Sequence, residues 1–135
     1  MDFNEPLPKL LRLRGMVARS VPPDEAKLAN TDAHALTGAY NRLRTAVRDC
    51  AVELDLAAEE FDAVLPALNE VTEPPRMDPT NMAILTSTAK TAATSLRSLA
   101  GYVEGLIEAV VLEEEVSMEQ VQAAREAARQ PPGFR

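Results

Sequence analysis

A chain of 135 residues with 46% hydrophobic and 26% charged residues is long enough to bury one core and is not a disordered polymer. Its formal net charge of −7 argues against bulk attraction to nucleic acid or an anionic membrane, and one cysteine, Cys50, excludes an intramolecular disulfide framework. Aromatic residues at 4%, no tryptophan and abundant alanine and leucine favour helices over sheets. No run of apolar residues is long enough for a membrane span, and the first residues do not form a secretory signal, so a cytoplasmic location is expected.

Residues 1–6 read as a loose lead-in. An amphipathic helix is expected over 8–20, with Leu7, Leu10, Leu11, Leu13 and Val17 on one side. Lys9, Arg12 and Arg19 share another side and Arg14 lies apart. Pro22-Pro23 ends this helix, and Asp24 to Asn30 carries at most a short helical turn. The first 20 residues hold four basic and two acidic groups, against a net of −9 for the remainder. A locally basic helix on an acidic body suits docking to that body, gripping an acidic partner, or touching a phosphate backbone.

Thr31 or Asp32 is expected to cap a second helix, about 32–71. Its apolar stripe is Leu36, Tyr40, Leu43, Val47, Cys50, Leu54, Ala57, Phe61, Val64, Leu68 and Val71, spaced alternately four and three apart. Pro66 kinks this helix on its outward side, or the helix breaks near Asp55; both readings are open.

Thr72 to Asp78 forms a stiff turn, and Asp78-Pro79 is an N-cap followed by proline at the first helical position. The helix it opens, about 79–115, has a stripe at Met82, Leu85, Ala89, Ala92, Leu96, Leu99, Val103, Leu106 and Val110. Charges are sparse along it, so it should be covered on more than one side. Gly101 and Gly105, four apart, mark a place where another helix would cross closely, or else a hinge. Glu113-Glu114-Glu115 oppose a helix C-terminus, while Ser117 and Gln120 form a capping-box pattern for a last helix over 118–130. Pro131-Pro132-Gly133 then ends that helix, with Phe134-Arg135 frayed.

Two stripes of similar length joined by a short turn predict a long antiparallel hairpin, roughly 50–60 Å in length. The expected fold is all-α: that hairpin, completed to a helical bundle by the terminal helices or by dimerisation, in one domain over 1–135. Antiparallel folding would set Glu104 and Glu108 opposite Leu43 and Arg44, with Arg44 available as their ion-pair partner, and would keep them away from Glu59, Glu60 and Asp62.

The residues offer little for catalysis. His34 and Cys50 stand about four helical turns apart, too far for a nucleophile–base pair. No glycine-rich phosphate loop occurs, and no cofactor is expected. Carboxylates on paired helices could serve a metal-dependent all-α hydrolase, although a solvated acidic face is the simpler use. The favoured expectation is a non-enzymatic protein–protein interaction module that binds a protein partner or a second copy. Its candidate contact residues are Lys9, Arg12, Arg14 and Arg19 on the basic helix, with Ile84, Ile107 and Val111 lying off the central stripe. The alternative is a small helical subunit touching nucleic-acid backbone through those four basic groups.

Overall fold

The computed structural model describes residues 6–129, and side chains as far as Glu113. It contains α1 (Pro6–Ser20), α2 (Ala33–Glu53), α3 (Ala58–Val64) and α4 (Pro79–Arg129), with single 3₁₀ turns at Glu25–Lys27 and Asn30–Asp32. No strand occurs among the described residues, and the helices pack into one bundle in which α1 touches both α2 and α4. The lead-in expected over 1–6 is shorter by Pro6, which already belongs to α1; its residues 1–5, and the stop signals from Pro131 onward, lie outside the described residues.

Local chemistry sets most boundaries. Asp24 caps the first 3₁₀ turn by accepting from the Ala26 N–H at 3.0 Å. Asp32 does not cap α2 with its side chain; it accepts from the Ala29 N–H at 2.9 Å and feeds the 3₁₀ turn directly into the helix. At the start of α4, Asp78 Oδ1 accepts from the Asn81 N–H at 2.8 Å, with Pro79 at the first helical position.

The expected helix 32–71 is divided. Asp55 adopts φ 64°, the left-handed region, while the Leu56 N–H donates to the Ala51 carbonyl and the Asp55 N–H to Val52. Those two bonds form a Schellman ending, in which a non-glycine residue carries the left-handed cost. Glycine at this position should relieve that cost and valine should raise it. In thermal melts Asp55→Gly is expected to gain up to about 1 kcal/mol and Asp55→Val to lose about 1–2 kcal/mol.

The second stop is Pro66. Residues before a proline avoid the helical region, and Leu65 sits at φ −128°, ψ 74°, closing α3. Beyond it the chain runs back along α2, its carbonyls satisfied by α2 side chains. The Tyr40 hydroxyl donates to the Pro66 carbonyl (2.8 Å), and Arg44 Nε donates to that of Leu65 (2.6 Å). Asn41 both donates to the Leu68 carbonyl (2.9 Å) and accepts from the Leu68 N–H (3.0 Å). These contacts replace the hydrogen bonds that a continued helix would have made internally.

This return path corrects the antiparallel hairpin. Lys9 near the start of α1 pairs with Glu53 at the end of α2, so those two helices are antiparallel. Arg14 pairs with Glu104 while Glu25, further along the chain, pairs with Arg97, so α1 is antiparallel to α4 as well. Helices α2 and α4 therefore run parallel, and Ala33 and His34 share a cavity with Met77 and Leu85 at their common N-terminal end. The connection that allows this is not the short 72–78 turn but the whole of 54–78, which includes α3.

The core lies along α4. Ala89, Ala92, Leu96, Leu99, Val103, Leu106 and Val110 are all buried, facing Leu10, Leu13 and Val17 of α1 and Tyr40, Leu43, Val47 and Cys50 of α2. Helix α4 spans 51 residues, about 75 Å, against about 30 Å for α2. It does not stop at 115. The separate helix expected over 118–130 is a continuation of α4 as far as Arg129. Nor does a helix cross at Gly101 and Gly105: both are exposed, and a Cβ at either would meet nothing within 4 Å.

Candidate interaction surface

The basic helix α1 is held on its own body. Lys9 Nζ lies 3.3 Å from Glu53, and Arg14 Nε lies 3.7 Å from Glu104. Arg12 and Arg19 are exposed, with no ion pair among the described residues. The four basic candidates thus divide into two that fasten the bundle and two that face solvent.

The apolar candidates divide too. Ile107 is buried in the core cluster beside Leu106, so it belongs to the seam with the other helices. Ile84 is 57% exposed and Val111 37% exposed, and Leu112, not singled out in the sequence, is 60% exposed. Met77 and Met82 are also exposed near the start of α4, and Val52 and Leu56 are exposed where α2 ends. Apolar surface is therefore displayed near the start of α4 and again where α4 reaches beyond α2.

Arg44 does not meet Glu104 or Glu108. Its guanidinium is 2.5 Å from Asp62 of α3 and 5.3 Å from the centre of the Phe61 ring. Arg48 shares the same carboxylate at 2.9 Å. The hydrogen bonds from Arg48 and then Arg44 hold the Asp62 carboxyl below the usual aspartate value, outweighing partial burial, and Asp62 in turn raises Arg48. The stability contributed by this carboxylate is complete above the ordinary value of about 3.9 and is lost as pH falls through the lowered one. Asp62→Asn should therefore cost stability near neutrality and flatten the fall in melting temperature below about pH 4. Equal acid sensitivity in variant and parent would remove Asp62 from this role.

The carboxylates considered as metal ligands are dispersed. Asp62 serves two arginines, Glu104 serves Arg14, and no group of three or more histidine, cysteine or acidic side chains gathers among the described residues. Cys50 is buried between α1 and α2, and its thiol is pushed up by desolvation and then by Glu53. His34 is exposed near the start of α2.

Between α1 and α2, on the side away from α4, two hollows of about 420 and 340 Å³ adjoin through Leu13, Met16 and Ala46. No helix among the described residues is long and apolar enough to cross a membrane. Comparison of this chain with protein-family models, curated proteins and solved structures gives no match in any of the three.

Proposed function

We propose that this chain is a non-enzymatic helical interaction module, an adaptor, assembly factor or structural subunit that binds a protein partner or a second copy of itself in the cytoplasm. The supporting observation is the length of α4 beyond its neighbours together with exposed apolar residues near both ends of its packed stretch, Met82 and Ile84 at one and Val111 and Leu112 at the other. Large side chains exposed in this way, on rigid helix, are the raw material of helix-mediated contacts. Arg12 and Arg19 add positive charge that no ion pair neutralises among the described residues, which favours an acidic partner surface.

Two measurements on the full chain test the reading: particle mass by light scattering over a concentration series, and the proteins that the tagged chain retains from extract of its source. The expected result is a mass that grows with concentration, or a stoichiometric partner lost in the Ile84→Asp, Leu112→Asp double variant. A particle that stays monomeric and retains nothing more than the variant does would overturn it.

A further inference from the structure

We infer that the groove between α1 and α2 is the seat for the C-terminal reach of α4 from a second copy of this chain, giving a two-fold dimer. This deepens the interaction reading above and rests on it. The floor of the groove is apolar: Leu13 and Met16 from α1, and Leu43, Ala46 and Cys50 from α2. Its rim is positive. Arg12, Arg19 and Arg42 border it without ion-pair partners among the described residues, Asp49 opposes them, and Lys9 and Glu53 neutralise each other.

An apolar floor with a cationic rim fits an acidic amphipathic helix. The same chain supplies an acidic helix with apolar residues at its base. From Glu113 to Arg129 its sequence holds five glutamates against two arginines, introduced by the exposed pair Val111 and Leu112. The sizes agree: the groove follows α1 from Lys9 to Ser20, about 17 Å, and Glu113 to Arg129 is about 24 Å of helix.

Topology makes the exchange intermolecular. Helix α4 leaves the bundle at the end where α1 begins and α2 terminates, and an unbroken helix cannot turn back onto its own groove. A copy related by a two-fold axis across that end brings its α4 down along the first copy's α1 and α2, while the first copy's α4 rises along the second's. The α1–α2 layers then stack end to end, and each groove receives a fourth helix.

The test uses two full-length charge variants. One carries Arg12→Glu, Arg19→Glu and Arg42→Glu; the other carries Glu113→Lys, Glu114→Lys, Glu115→Lys and Glu119→Lys. In either homodimer both seats would bring like charges together, whereas in the mixed dimer both seats are complementary. By light scattering the parent is expected to rise from 14.6 kDa to twice that mass. Each variant alone should dissociate at least about tenfold more readily, and an equimolar mixture should recover the doubled mass.

A parent that stays monomeric overturns the inference. If it nonetheless retains a foreign protein through Arg12, Arg19 and Arg42, the groove belongs to another acidic helix and the broader interaction reading survives. Variants that still dimerise alone place the interface elsewhere, and a mixture that stays monomeric shows that tip and groove do not meet. Either outcome also overturns it.

Discussion

Leu96→Ala is expected to destabilise the fold by about 2–5 kcal/mol, enough to lower its melting temperature by about 10 °C or more. Leu96 has no exposed surface and sits within the packed stretch of α4, between buried Ala92, Ala93 and Leu99. The alanines beside it cannot move in to fill the space, so the residual cavity adds to the lost burial. Ile84 lies on the same helix and is largely exposed, so Ile84→Ala should stay within about 0.5 kcal/mol of the parent. Chemical denaturation of the two variants at one protein concentration checks the contrast. Equal losses would mean that α4 is not anchored along the seam described.

Phe61→Ala should cost about 3–5 kcal/mol, and much of the damage should be local. Phe61 is the buried residue of the seven-residue α3, with 2% of its surface exposed. It meets the Tyr102 ring edge-on, with centroids 5.1 Å apart and planes at 86°, and lies under Arg44. Its loss frees α3 and weakens the hold on the following segment. Hydrogen exchange should therefore accelerate from residue 58 to about residue 71 before the rest of the bundle opens. Val64→Ala is the control. Val64 occupies the same apolar stripe in the sequence but is 67% exposed, and its replacement should be nearly neutral. If Val64→Ala proved as costly as Phe61→Ala, the stripe would be packed as one long helix after all.

Those two residues show where sequence reading stops being sufficient. The spacing of apolar residues continues smoothly from Leu36 to Val71, yet past Leu54 it no longer marks a continuous buried face: Ala57 and Val64 are exposed while Phe61 between them is buried. Asp55 then turns into the left-handed region and Pro66 closes α3. A stripe records which residues prefer burial; it does not record whether the backbone beneath them stays helical. Both breaking residues are visible in the sequence, but either could have been absorbed by a kink.

The candidate surface was legible in part. Of the three apolar residues lying off the central stripe, Ile84 and Val111 are exposed, whereas Ile107 is buried because α4 is covered across a wider arc than one stripe. The division of the basic helix, with Lys9 and Arg14 in ion pairs and Arg12 and Arg19 outside them, required knowing which acidic residue each one faces. Leu112 escaped notice because exposure of an off-stripe residue depends on where the neighbouring helices stop.

Composition and periodicity by themselves determined that the chain is helical, that α1 carries a basic amphipathic pattern and that α4 begins at Asp78-Pro79. They also determined that seven consecutive stripe positions from Ala89 to Val110 would be inside, and that Cys50 would join them. Only the tertiary structure decided the direction in which the helices run. An apolar stripe reads the same toward either end and contributes similar burial against a parallel or an antiparallel neighbour. The choice therefore fell to the connection, where breaks at Asp55 and Pro66 and the grip of Tyr40, Asn41 and Arg44 lead the chain back along α2 before α4 begins.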